Sequence, residues 1–225
     1  MKELIQKENA IFEILQKFVE SNLDFVIVGG YAVSAFKHRF SVDADIVIQS
    51  KDLEKYKSIL EKKNFKKTAE KQLENIYSSR FIRYEKDMAS VDILIDALAS
   101  RSTDASFSYK LLFDNSTERK IIGIEKEVAA RVPIKELLIV MKLHSGRLTD
   151  FRDIATLAKD INLETIKNFL FIGDLKSLQK NLDKLAVVVK DKNFIDSFKG
   201  VFIEKKFDVD MAKVEKISKL RKDFR

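Results

Sequence analysis

Two aspartates separated by one residue lie in the segment FVIVGGYAVSAFKHRFSVDADIVIQ, residues 25–49. In a β-strand, side chains alternate between the two faces, so Asp43 and Asp45 would project from the same face, about 7 Å apart. Two carboxylates held side by side repel each other unless a cation lies between them. A divalent metal site is one interpretation of this pair, and an ordinary strand beside a turn is the other.

A third aspartate lies in the segment SVDILID, residues 90–96, which is also typical of a strand. Asp92 falls at the centre of this apolar run, where a charge is unfavourable to bury unless it is paired or coordinated. Asp96 lies at the end of the run and has the simpler interpretation of a turn or cap residue. Three carboxylates on neighbouring strands would suit one or two Mg²⁺ ions.

Gly29 and Gly30 follow the apolar run DFVIV and precede YAVSAF, a pattern that predicts a strand-to-helix turn. Backbone N–H groups at such a turn can approach a phosphate because no Cβ stands in the way. A tight turn without a ligand is the alternative interpretation. Together, a phosphate cradle, the aspartate pair and a third aspartate supply the parts that a metal-bound nucleoside triphosphate requires.

These motifs resemble the signature of the polymerase-β-like nucleotidyltransferase superfamily. The resemblance implies that Asp43, Asp45 and Asp92 are the catalytic residues and bind two Mg²⁺ ions, with Asp92 helping to activate an acceptor hydroxyl. It also implies a nucleotide-binding set drawn from the same segment, comprising Gly29, Gly30, Arg39 and Ser41. A simple ion pair with an aspartate is the alternative for Arg39.

The segment MKLHSGRLTDFRDIATL, residues 141–157, resembles a motif of the abortive-infection (AbiEii-like) branch and its antibiotic-modifying relatives. The resemblance implies that Lys142, Arg147 and Asp150 belong to the nucleotide-binding site, with Lys142 meeting the triphosphate charge. Arg147 could instead pair with Asp150. A helix hairpin with ordinary salt bridges is the alternative for the whole segment.

Composition limits the chemistry and the partners. The chain has no cysteine and two histidines, so a metal ligated by oxygen, such as Mg²⁺, is favoured. The formal charge of +7 is compatible with tRNA or RNA as a partner and equally with a merely soluble surface. No apolar run is long enough to span a bilayer, and no signal peptide is apparent, so we expect a cytoplasmic protein without a membrane partner.

The hydrophobic pattern changes along the chain. Up to residue 132 it predicts helices and strands in alternation, whereas from Pro133, expected in the first turn of a helix, it predicts helices alone. The predicted helices cover residues 3–20, 31–36 and 51–64, and the predicted strands cover 24–28, 44–48, 75–85, 89–96 and 120–125. The expected fold is α+β: a nucleotidyltransferase domain (1–132) with a small mixed sheet flanked by helices, then a helical domain (133–225).

The expected function is Mg²⁺-dependent transfer of a nucleoside monophosphate from a nucleoside triphosphate to a hydroxyl acceptor, with release of pyrophosphate. The resemblance implies tRNA or other RNA, a protein or a small molecule as acceptor. One alternative is a non-catalytic, regulatory component of a toxin–antitoxin pair, bound to a partner protein. Another is a plain nucleic-acid-binding module.

Overall fold

The computed structural model describes residues 2–72, 80–200 and 208–223, apart from the side chains of residues 199, 200 and 223. The chain divides into two compact units. Unit 1 comprises the residues up to Leu98 together with Phe107–Pro133, and unit 2 comprises Ala99–Ser106 together with the residues from Ile134 onward. Unit 2 therefore takes a short segment from the middle of the chain in addition to its C-terminal part.

Unit 1 is built on a mixed sheet whose central strands follow from runs rich in β-branched residues. Its strands are β1 (Val26–Val28), β2 (Asp43–Ile48), β3 (Lys66–Gln72), β4 (Arg80–Lys86), β5 (Ala89–Ile95), β8 (Ser116–Ile122) and β9 (Glu127–Pro133), while β6 (Ala97–Ala99) and β7 (Ser106–Ser108) form a separate pair. The order across the sheet is β3-β4-β5-β2-β1-β9-β8. β2 runs parallel to β5 and β1 parallel to β9, whereas the other neighbouring strands are antiparallel.

Helices cover this sheet, which confirms the predicted mixed α/β architecture. The helices of unit 1 are α1 (Lys2–Glu20), α2 (Gly29–Ser34), α3 (Leu53–Lys62) and α4 (Tyr109–Asp114). α1 packs on β5, β9 and α3, and its buried apolar residues are Ile11, Phe12, Ile14, Leu15 and Phe18. α3 follows a short 3₁₀ turn at Ser50–Asp52, so the helix predicted over 51–64 begins later and ends earlier.

Several predicted element bounds are wrong. Pro133 is the last residue of β9, paired with Ser116, and the helix begins at Lys135 instead. The position suits proline because an extended backbone at the end of a strand accommodates its fixed φ. The strands β3, β6, β7 and β9 and the helix α4 were not predicted. The strand predicted over 75–85 is present from Arg80, and residues 75–79 lie outside the described residues.

Unit 2 is mainly helical, and three of its helices pack against one central helix. Its helices are α5 (Lys135–Ser145), α6 (Leu148–Leu157), α7 (Leu163–Leu170), α8 (Leu175–Val188) and α9 (Met211–Lys219), with 3₁₀ turns at Asp196–Gly200 and Leu220–Asp223. α5 contacts α6, α7 and α8, and every side chain from Leu137 to His144 is buried. Within the described ranges, no helix is both long and apolar enough to cross a membrane.

Segment 99–106 is fixed to the helices of unit 2 by hydrogen bonds. Thr103 Oγ1 lies 2.8 Å from His144 Nδ1, and the Ser100 hydroxyl donates to the His144 carbonyl at 2.8 Å. His144 Nε2 lies 3.1 Å from the carbonyl oxygen of Leu170. Since that oxygen can only accept, Nε2 carries the proton and Nδ1 of the neutral ring accepts from Thr103. Burial lowers the pKa of His144 to about 4.

Candidate functional site

The three predicted metal-binding aspartates share one face of the sheet of unit 1. In the parallel pair β2–β5, Asp45 lies opposite Asp92, and Asp43 lies opposite Ser90 two residues earlier. Because side chains alternate along each strand, these aspartates project from the same side. The other face is apolar, since Ala44, Ile46 and Ile48 of β2 and Val91, Ile93 and Ile95 of β5 are all buried.

Arg83 on the neighbouring strand β4 also projects from this face, because it pairs in register with Asp92. Its guanidinium binds Asp92 with two parallel hydrogen bonds, from Nε to Oδ1 at 2.7 Å and from Nη2 to Oδ2 at 2.6 Å. The same Nη2 lies 3.5 Å from Oδ2 of Asp43. The positive charge at these carboxylates is therefore supplied by an arginine that the sequence did not single out.

Burial and Arg83 act on Asp92 in opposite directions. Only 4 % of Asp92 is exposed, and burial raises the pKa of its carboxyl, while the hydrogen bonds and charge of Arg83 oppose that rise. The pKa of Arg83 is raised above its ordinary value, chiefly by its hydrogen bonds to Asp92. Arg83 is therefore charged at any physiological pH, and Asp92 depends on it for the stability of its ionised form.

The donor chemistry fits a hard divalent cation, because the candidate ligands are carboxylate oxygens on adjacent strands. As the side chains are placed, no group of three or more Asp, Glu or His residues within the described ranges is close enough to hold a metal ion. Both oxygens of Asp92 accept hydrogen bonds from the guanidinium of Arg83.

Gly29 allows Asp45 to occupy its position. Gly29 has a φ of +66°, and a Cβ built on it would lie 2.0 Å from Oδ2 of Asp45. Any side chain at residue 29 would therefore both strain the backbone and displace this carboxylate. Gly29, which the sequence suggested as part of a phosphate cradle, thus also makes room for Asp45, a candidate metal ligand.

Gly30 has the same relation to the segment that precedes β2. A Cβ on Gly30 would lie 2.3 Å from the hydroxyl oxygen of Ser41 and 3.3 Å from Nη2 of Arg39. Ser41 is buried and donates its hydroxyl to the carbonyl of Asp43 at 3.2 Å, while the hydroxyl of Tyr31 donates to the Ser41 carbonyl at 3.1 Å. The predicted nucleotide-binding residues of unit 1 are thereby held against the glycine turn.

Asp96 is a turn residue, which agrees with the simpler interpretation of its place at the end of the apolar run. It has a φ of 63°, and its Oδ1 accepts a hydrogen bond from the backbone N–H of Ser50 at 2.8 Å. These contacts lie beyond the end of β5.

The predicted residues of the second segment form a buried ion cluster in unit 2. Nζ of Lys142 lies 3.2 Å from Oδ1 of Asp150 and 2.8 Å from Oδ2 of Asp153, and both aspartates are fully buried. Arg147, the residue before α6, donates to Oδ2 of Asp150 from Nε at 2.8 Å and from its backbone N–H at 3.2 Å. Burial would raise the pKa of Asp150, but the hydrogen bond from Arg147 and the charge of Lys142 outweigh it and lower that pKa.

These contacts agree with the interpretation of a helix hairpin with salt bridges, and with the pairing of Arg147 and Asp150. The assignment of Lys142, Arg147 and Asp150 to nucleotide binding stays a prediction from the resemblance.

No family model matches the chain, and no curated protein matches its sequence. Among solved structures, the chain is similar to the solution structure of the antibiotic-resistance factor ANT(2'')-Ia, with a TM-score of 0.53 and 16 % identity over 72 % of this chain and 88 % of that one. The similarity is lower to JHP933 from Helicobacter pylori (TM-score 0.49, 16 % identity, 99 % of this chain and 93 % of that one) and to the lincosamide antibiotic adenylyltransferase LnuA (TM-score 0.47, 20 % identity, 68 % and 98 %). At this identity the likeness to ANT(2'')-Ia establishes the fold alone, which is mixed α/β.

Proposed function

We propose that the protein is a nucleotidyltransferase, which transfers a nucleoside monophosphate from a nucleoside triphosphate to a hydroxyl acceptor and releases pyrophosphate. The observation that carries the proposal is the common face of Asp43, Asp45 and Asp92, held beside a glycine turn whose missing Cβ atoms make room for Asp45 and Ser41. A strand pair that served packing alone would have no reason to gather three acidic side chains on one face.

In this proposal the chain's own residues bind and orient the substrates. Asp43, Asp45 and Asp92 would hold the metal, and Asp92 would also accept the proton of the acceptor hydroxyl. Mg²⁺ bound there would supply positive charge to the entering and leaving oxygens of an in-line displacement. The backbone of Gly29 and Gly30, with Arg39 and Ser41, would contact the phosphates.

The charge of the protein favours an anionic acceptor, such as tRNA or another RNA, over a cationic drug. The formal net charge is +7. On the face that carries Arg83, the edge strand β3 adds Lys66 and Lys71, which pair in register with Glu85 and Phe81 of β4. Both lysines are exposed, and their charge would attract a polyphosphate backbone. Cytoplasmic localisation and a partner protein stay predictions from the sequence.

The test is the transfer of label from α-³²P-labelled nucleoside triphosphates to total RNA, to protein and to a panel of hydroxyl-bearing antibiotics, with and without Mg²⁺. We expect Mg²⁺-dependent labelling of one acceptor class by the wild type and a loss of at least about a hundredfold in Asp43→Asn, because a metal ligand is removed. Asp114→Asn is the matched control, since Asp114 pairs only with Lys110 on the surface among the contacts described. Equal labelling by the wild type and Asp43→Asn would contradict the proposal.

A second candidate is a non-catalytic protein that keeps this fold to bind a partner, as in a toxin–antitoxin pair. The bidentate contact of Arg83 with Asp92 favours it, because an arginine can neutralise the carboxylates without any metal. Calorimetry with Mg²⁺ and each nucleoside triphosphate separates the two candidates, since only the first predicts metal-dependent nucleotide binding that Asp43→Asn abolishes.

A further inference from the structure

Arg83 lies where a cation would be needed to hold the acidic face together. Its Nη2 is 2.6 Å from Oδ2 of Asp92 and 3.5 Å from Oδ2 of Asp43, so it stands between carboxylates contributed by two different strands. Without a cation, the repulsion between these carboxylates would be uncompensated on a partly buried face.

The contact with Asp92 is strong and directional. The planar guanidinium engages both carboxylate oxygens at 2.6–2.7 Å, the geometry in which an arginine–carboxylate pair is most stable. The side chain of Asp92 is only 6 % exposed whereas that of Arg83 is 34 % exposed. Asp92 is therefore the buried partner, and Arg83 is the partner exposed to solvent.

Arg80 shows that this contact is not a general feature of arginines on β4. It lies three residues earlier on the same strand, and it pairs in register with Ile95, whose side chain is on the apolar face. Arg80 makes its ion pair with Glu70 of the edge strand β3. The two arginines have similar side-chain exposure, 40 % for Arg80 and 34 % for Arg83, but of these two it is Arg83 that contacts Asp92 and Asp43.

We propose that Arg83 is the resident counter-ion of the acidic face and competes with the divalent cation for Asp92 and Asp43. The inference rests on the proposed function, because it presumes that these carboxylates bind a metal. Asp92 becomes available as a ligand only when Arg83 releases it. Binding of a divalent cation must therefore break this ion pair, and that cost lowers the affinity of the protein for the cation. Arg83 also keeps the acidic face stable when no cation is bound.

The first test is Mn²⁺ binding in the absence of nucleotide, measured by isothermal titration calorimetry and by the loss of the free Mn²⁺ electron paramagnetic resonance signal. In Arg83→Gln we expect the affinity for Mn²⁺ to rise on the order of tenfold, the scale of the effect that a neighbouring guanidinium has on a carboxylate. The matched control Arg80→Gln should bind Mn²⁺ as the wild type does. An unchanged or weaker affinity in a folded Arg83→Gln would overturn the inference while the proposed metal site would stand.

The second test uses the wild type and so does not depend on whether Arg83→Gln folds. In protein labelled with ¹⁵N-arginine, the NMR signal of the Arg83 Nε–H should be shifted and should exchange slowly with solvent, because this group donates to Asp92. Adding Mg²⁺ should remove that protection from exchange. The Arg80 signal should not respond. Mg²⁺ binding with an unchanged Arg83 signal would overturn the inference alone. If neither the wild type nor Arg83→Gln binds Mn²⁺ with or without ATP, the proposed metal site fails and the inference fails with it.

Discussion

At the residue scale, period-two alternation was sufficient to predict which face of β2 and β5 carries the aspartates. It could not reveal Arg83, because which residue lies opposite Asp92 depends on the register between β4 and β5. A signal was nevertheless present: Arg83 stands between Ile82 and Tyr84, both buried, and so shares the pattern of a mid-strand charge that singled out Asp92.

Lys142 gives a prediction at the same scale. Replacing it with methionine leaves Asp150 and Asp153 buried with less compensation, so we expect Lys142→Met to lower the free energy of unfolding by about 3 kcal/mol. The measurement is urea unfolding followed by circular dichroism. Lys110→Met, which removes a lysine from a surface pair with Asp114, should change stability little. If both variants unfold alike, the charge of Lys142 is not structural, and its predicted role at the triphosphate gains support.

At the scale of elements, the long periodic segments were predicted and the weakly patterned ones were not. β3 has the sequence KKTAEKQ, exposed at nearly every position, and it pairs with β4 without a hydrophobic signal of its own. β9 does alternate, with Val128, Ala130 and Val132 buried, but its alanines have low strand propensity and Pro133 was assigned to the following helix. Edge pairing and the exact junction of strand and helix are tertiary properties that a single sequence does not encode locally.

The junction of β1 and α2 gives the element-scale prediction. Gly29→Ala should destabilise the protein by about 1–2 kcal/mol, since its φ is +66°, and should also abolish metal-dependent nucleotide binding by displacing Asp45. Gly146→Ala is a matched control: it has the same φ of +66° and its Cβ would lie 2.3 Å from the side chain of Asn181 in unit 2. We expect a similar loss of stability in both variants, measured by thermal unfolding. Calorimetry with Mg²⁺ and ATP should show lost binding in Gly29→Ala alone, and equal binding by the two variants would contradict this account of Asp45.

At the scale of the whole molecule, composition predicted a basic protein and the hydrophobic pattern predicted two structural parts, and the structure adds buried polar networks in each unit. In unit 2, His144 is fully buried and neutral between Thr103 and Leu170. A lone histidine in an apolar helix gives no sequence signal for such a network, since its partners come from segments 41 and 26 residues away.

The pH dependence of stability follows from His144. Its pKa is about 4 in the folded chain and 6.5 ordinarily, so the unfolded chain binds the proton more readily, and stability falls as pH falls from about 6.5 to about 4. We expect protonation of His144 in the unfolded chain to lower the free energy of unfolding by about 2 kcal/mol between pH 7 and pH 5. Urea unfolding at the two pH values should show a smaller difference for His144→Gln than for the wild type. Equal differences would mean that His144 does not titrate as its burial implies.

The segment Ala99–Ser106 has a consequence for how such a chain can be rearranged in evolution. Its hydrogen bonds to His144, and from Asn181 to Ser102, tie it to unit 2, although unit 1 resumes at Phe107. A gene exchange with one crossover after Pro133 would therefore deliver the helices without Ser100 and Thr103, the partners of His144. Unit 2 can be inherited intact only if two separate stretches of the gene travel together, so the two units are expected to diverge as a single lineage rather than to be shuffled independently.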